Sequence, residues 1–175
     1  MSELRKIIGA ADWRTNVKAL ARTHCATPAG MTAIVELMND SDVALAKRAA
    51  WVFHHGGEFH RHLVPPLVGD LLPQLDANRH PSFRRNIIRA LQFVVIPEEY
   101  LGEIVTRCFN YLLDPKEGVA CRAFSTEILW QACLREPDLM PELAETLELV
   151  GPTGKPGLRF RARQILGRIG ERKVP

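Results

Sequence analysis

The chain has 175 residues, 46% of them hydrophobic and 25% charged, an ordinary globular composition sized for one domain. Its 12 Gly and 12 Pro are too few for a disordered or collagen-like chain, and no run of about 18 apolar residues offers a membrane span. The formal charge is only +3, yet Arg outnumbers Lys by 17 to 6, and the planar guanidinium fork suits carboxylates and phosphates.

The opening MSELRKIIGAADWRTN lacks the long apolar core of a secretory signal, so a cytoplasmic location is expected. A helix is predicted near 14–23, preceded by Trp13, with Arg14, Lys18 and Arg22 spaced i, i+4, i+8 on one stripe. The next spans 28–42 and ends in Asn39-Asp40-Ser41-Asp42. A helix near 44–55 follows, and Gly56-Gly57 reads as its flexible stop. Helices near 61–76 and 82–95 flank the break Ala77-Asn78-Arg79-His80-Pro81. From Leu101 the run Leu101, Ile104, Val105, Cys108, Phe109, Leu112 marks an amphipathic helix over 97–114. Asp114-Pro115, Glu136-Pro137 and Gly151-Pro152-Thr153-Gly154 then separate helices near 118–133, 137–150 and 157–169. Connections this short place successive helices side by side and antiparallel.

The spacing is periodic. Met38, Leu75, Leu112 and Leu149 lie 37 residues apart, near the ends of the first helices of successive pairs. Arg48, Arg85, Arg122 and Arg159 keep the same interval near the starts of the second helices, as do Leu91, Ile128 and Ile165 inside them. Three series with one period indicate tandem helical hairpins. The predicted fold is a single all-α domain over 1–175, a right-handed α-solenoid of about four and a half hairpins, with 14–23 as the second half of an incomplete N-terminal repeat.

Two segments carry a family resemblance. Ile34-Val35-Glu36-Leu37-Met38-Asn39-Asp40-Ser41-Asp42-Val43 leads into Ala46-Lys47-Arg48-Ala49-Ala50, and Leu112-Leu113-Asp114-Pro115 leads into Val119-Ala120-Cys121-Arg122-Ala123. An apolar helix, an Asp-containing turn and a second helix opening with Val, basic residues and Ala resemble the HEAT-repeat family, over about residues 28–169. In that family repeat-position arginines often pair with turn aspartates, and the second helices form a concave inner layer.

Charge sorts by helix type. The five second-type windows hold 13 bases, Arg14, Lys18, Arg22, Lys47, Arg48, Arg84, Arg85, Arg89, Arg122, Arg159, Arg161, Arg163 and Arg168, against one acid, Glu127. The four first-type windows hold two bases, Arg61 and Arg107, against 13 acids. The resemblance therefore implies a basic concave face, which would concentrate anionic partners. Arg85 and Arg89 lie opposite the apolar stripe Phe83, Ile87, Leu91, Val94 and are expected to face solvent.

His54-His55-Gly56-Gly57-Glu58-Phe59-His60-Arg61-His62 gathers four histidines and a glutamate. Imidazole suits zinc and nickel, but neither HExxH nor CxxC spacing is present, so these read as loop and helix-end histidines with no metal site. Cys25, Cys108, Cys121 and Cys133 form no CxxC pair and are expected as reduced thiols, mostly in the core. Trp51, Phe53, Phe93, Phe124 and Trp130 are expected mainly between the layers. The chain carries no P-loop, Rossmann fingerprint, GxSxG or zincin motif, so neither a cofactor nor catalysis is expected. There is a distant likeness to HEAT-like DNA alkylation repair glycosylases, whose concavity holds an Asp among aromatic residues. Here the second helices provide only Glu127, with Trp130 three residues later.

The function expected is a non-enzymatic scaffold. Its Arg-rich face, with Arg14, Lys18, Arg22, Lys47, Arg48, Arg84, Arg85, Arg89, Arg122, Arg159, Arg161 and Arg163 as ligand-binding residues, docks an acidic protein segment. The alternative partner is the phosphate backbone of a nucleic acid, and an accessory role in maturing a larger enzyme is a third reading. No membrane partner is expected, and the protein should be a monomer or a weak homodimer.

Overall fold

A computed structural model describes residues 3–10, 12–76 and 80–172, and of Trp13 only the backbone. Among these residues there are ten α-helices and no strand: α1 Glu3–Gly9, α2 Trp13–His24, α3 Pro28–Leu37, α4 Val43–Phe59, α5 Val68–Asp76, α6 Pro81–Leu91, α7 Glu98–Leu113, α8 Val119–Arg135, α9 Met140–Val150 and α10 Pro156–Arg172. The chain divides into two compact units, Met1–Pro97 and Glu98–Pro175.

Helix starts follow from local chemistry. Asp42 ends α4 on its N-terminal side by accepting from the Ala44 and Leu45 amides at 2.9 and 3.2 Å. Thr27 accepts from Gly30 at 3.1 Å, with Pro28 in the first turn, where its missing N–H costs nothing. His80 does the same for α6 through its ring Nδ1 and the Ser82 amide at 3.1 Å, ahead of Pro81.

In the first unit α3 packs on α4 and α5 on α6, while α2, α4 and α6 lie against one another in succession. In the second, α7 packs on α8, α9 on α10, and α8 on α10. Each unit is thus a two-layer stack of helical hairpins, the arrangement of an α-solenoid. The apolar stripes supply the core. Leu101, Ile104, Val105, Cys108, Phe109 and Leu112 are all buried, as are Leu143, Leu147 and Val150 on α9 and Leu158, Ala162, Ile165 and Ile169 on α10. The four cysteines are buried free thiols, as expected. Burial alone pushes Cys25 up to about 12, burial likewise raises Cys108 to about 12, and Cys133 rises to about 11. Each therefore stays protonated at neutral pH and behaves as a small apolar group.

Several expectations are corrected. α1 precedes the supposed half repeat and packs on α4 and α2, giving α2 its own short partner. The helix predicted over 61–76 is broken into 3-10 turns at Arg61–Leu63 and Pro65–Leu67 before α5 begins, because consecutive prolines remove amide donors. A 3-10 turn at Pro137–Leu139 likewise delays α9 to Met140. α3 stops at Leu37 and α6 at Leu91, short of the predicted ends. Leu149, the last member of its series, is 67% exposed, and Val150 takes the buried place. The break at Ala77-Asn78-Arg79 and the side chain of Trp13 lie outside the described residues.

The largest correction concerns Gly56-Gly57. They do not stop α4, which runs on to Phe59. Both glycines are buried. A Cβ on Gly56 would lie 2.5 Å from Cys25 Sγ and 2.7 Å from Cys25 Cβ, and one on Gly57 would lie 3.0 Å from Ala90 Cβ. The pair is there for close approach of chain on both sides of α4, not for flexibility.

Two substitutions separate these roles. Gly56→Ala should destabilise the protein by about 2 kcal/mol or more through overpacking. Gly102→Ala on α7, where a Cβ would meet open space, should stabilise it by about 0.5–1 kcal/mol through helix propensity and unfolded-chain entropy. Urea unfolding midpoints for the two variants would read both signs.

Candidate functional site

With the observed helix bounds, charge still sorts by layer. The helices α2, α4, α6, α8 and α10 carry 15 Lys and Arg against three acids, Glu58, Glu127 and Glu171. The helices α1, α3, α5, α7 and α9 carry three bases against ten acids. Glu58 joins the count because α4 continues past the glycines.

The second-layer arginines do two different things. One set ties chain ends together. Arg48 Nη1 donates to the carbonyls of Ile8, Gly9 and Ala10 at 3.3, 2.8 and 3.4 Å, closing the C-terminal end of α1. Arg84 donates through Nε and Nη2 to the Leu75 carbonyl, both at 3.3 Å, at the end of α5. Arg122 Nε reaches the Leu112 carbonyl at 3.0 Å at the end of α7, and Arg159 reaches Gly154 at 3.3 Å in the turn after α9. The carbonyls of Ile8, Gly9, Leu75 and Leu112 lie in the last turn of a helix, at the negative end of its dipole, where a guanidinium is favoured. The repeat arginines thus bond backbone carbonyls, and in the second hairpin the residue that does so is Arg84, one position before the periodic Arg85.

The other set is exposed. Arg14, Lys18 and Arg22 form an open stripe along α2. Arg14 lies over the Trp51 ring at 5.8 Å and Arg22 over Phe59 at 4.5 Å, so aromatic faces of α4 steady two of the three cations. Arg85 is exposed on α6, and half-buried Lys47 reaches His80 Nε2 at 3.3 Å. In the second unit Arg163 is exposed on α10, as is Arg159 alongside its bond to Gly154. Arg161 and Arg168 turn to Glu127, Arg168 Nη1 holding both carboxylate oxygens at 3.0 Å and Arg161 lying 3.8 Å away. Arg168 also lies over Trp130 at 5.9 Å. Of the five aromatics expected in the core, Phe53 and Trp130 are buried, while Trp51, Phe93 and Phe124 are half-buried.

Phe160, which the sequence reading did not single out, is 61% exposed on α10 between Arg159 and Arg161. Its signal was one of phase: it falls outside the stripe Leu158, Ala162, Ile165, Ile169.

Arg89 does not face solvent unpaired. It forks onto Glu58 Oε1 with Nε at 3.0 Å and Nη2 at 2.7 Å, linking α6 to α4. The other carboxylate oxygen stands 3.0 Å from His55 Nδ1. Burial works to raise the Glu58 carboxyl, but hydrogen bonds from Arg89 and His55 and the Arg89 charge outweigh it and hold the group below its ordinary value. His54, its ring centre 3.9 Å from that of His55 and tilted by 41°, is 4% exposed, and neither of its ring nitrogens has a hydrogen-bond partner. Burial, followed by the charges of His55 and Arg89, lowers its pKa to about 3, while Glu58 and Asn86 pull weakly the other way.

His54 makes stability depend on pH with a definite sign. Folded, the ring stays neutral down to about pH 3; unfolded, it takes up a proton below its ordinary value of 6.5. The unfolded chain therefore binds more protons in this window, and stability falls by up to about 1.4 kcal/mol for each unit the pH drops below 6.5. Denaturant melts between pH 7 and 5 should show that loss, and His54→Phe should flatten it.

The family model described as HEAT repeat domain matches residues 4–169 of the chain. No curated protein and no solved structure matches it.

Proposed function

On the premise that the chain belongs to the HEAT repeat domain family, whose helical repeats generally serve as non-catalytic interaction scaffolds, we propose that it docks an acidic protein segment on the basic second-layer face of its first unit, along α2. The carrying observation is the exposed stripe of Arg14, Lys18 and Arg22 on α2. Three cations at successive turns of one helix match the spacing of carboxylates on an extended or helical partner. The stacking of Arg14 on Trp51 and Arg22 on Phe59 reduces the rotamer freedom that binding would otherwise freeze.

Chemistry is a poor fit for this layer. Of the three acids on these helices, Glu58 and Glu127 each accept hydrogen bonds from an arginine, and Arg89 and His55 hold the Glu58 carboxyl below its ordinary value, which disfavours its acting as a proton donor. A cytoplasmic setting, with reduced buried thiols, accords with this reading.

The test is fluorescence anisotropy at physiological ionic strength, about 0.15 M, with a labelled Asp/Glu-rich peptide, duplex DNA and single-stranded RNA. The peptide should bind saturably, and Lys18→Glu with Arg22→Glu should weaken it at least about tenfold. Tighter, salt-steep binding of either nucleic acid would move the face to phosphate recognition. Peptide affinity unchanged by the double reversal would overturn the assignment of this face.

A further inference from the structure

The α4 cluster under the basic face has a composition that acidic-peptide docking does not use. We propose that His54, His55 and Glu58 form a binding site for one divalent transition ion of the zinc class. One nitrogen from each imidazole and one carboxylate oxygen lie within 4.8 Å of one another. Around a single zinc, ligands at about 2.0–2.1 Å stand roughly 3.3 Å apart. His55 Nδ1 and Glu58 Oε2, at 3.0 Å, already sit at that separation. His54 and Glu58 are four residues apart and so share a helix face.

His54 is the observation that points to a ligand. A ring this deeply buried, with both nitrogens unpartnered, carries a desolvation penalty that a metal bond would remove. Arg89 grips Oε1 and leaves Oε2 toward His55, the kind of outer partner that fixes a ligating carboxylate. Two imidazoles and one carboxylate favour zinc, cobalt or nickel over magnesium or calcium, which prefer oxygen donors. Three protein ligands leave one tetrahedral position for water, and the 21% exposure of the Glu58 side chain provides an approach from solvent.

The experiment is titration of the metal-free full chain with Co2+ and then with Zn2+, read by visible absorption and by competition with a chromophoric chelator. The expected result is one ion per chain, with the intense ligand-field bands of four-coordinate cobalt that Zn2+ then bleaches. Glu58→Gln, which keeps the shape and an acceptor for Arg89, should weaken Zn2+ affinity at least about tenfold. His54→Phe, verified as folded by circular dichroism, should abolish the four-coordinate bands, and His24→Ala with His62→Ala should change neither readout. Absence of saturable Co2+ and Zn2+ binding to the parent chain would overturn the site. So would binding that survives both Glu58→Gln and His54→Phe, or that disappears with the His24 and His62 pair.

Discussion

Everything in the first unit depends on how closely α4 can be approached, and two consecutive glycines set that distance. Adjacent residues on a helix point about 100° apart, so Gly56 and Gly57 open two faces at once. Gly56 lets Cys25, at the end of α2, touch the α4 backbone, and Gly57 does the same for Ala90 of α6. Glycine in a helix interior costs about 0.5–1 kcal/mol in propensity, and that cost is set against contact on both sides. Because the helix also survives the pair, Glu58 arrives one turn beyond His54 and meets Arg89 across the α4–α6 seam. A helix ending at residue 55 would have left Glu58 in a loop and His54 at a frayed end.

The architecture was legible because it is written in repetition. Period-3.6 stripes on α7, α9 and α10 and a 37-residue interval each restate the same hairpin, so an error in one copy is outvoted by the others. What was not legible was written once. Gly-Gly carries opposite meanings, a stop where solvent lies beside it and a contact where another helix does, and only the neighbours decide. The Arg84 for Arg85 exchange is a shift of one residue, below the resolution of periodicity. Leu149 and Val150 are adjacent and both apolar, so their sequence could not say which one faces inward. The basic sorting of the second layer was visible in composition, but the division of its arginines was not, because a backbone carbonyl leaves no trace in sequence.

That division explains why arginine rather than lysine dominates. A guanidinium has five N–H donors in a planar fork. Arg48 holds the end of α1 through Nη1, and Arg122 holds the end of α7 through Nε. Arg89 and Arg168 hold Glu58 and Glu127 while remaining about 39% exposed at the side chain. An ammonium in these places would offer a single point of charge with no fixed second direction. Arginine instead lets one side chain hold a helix end or a half-buried acid and still project positive charge outward. Within each unit the positive charge of the second layer is therefore anchored to the fold itself, and in the first unit the exposed cations of α2 add to it.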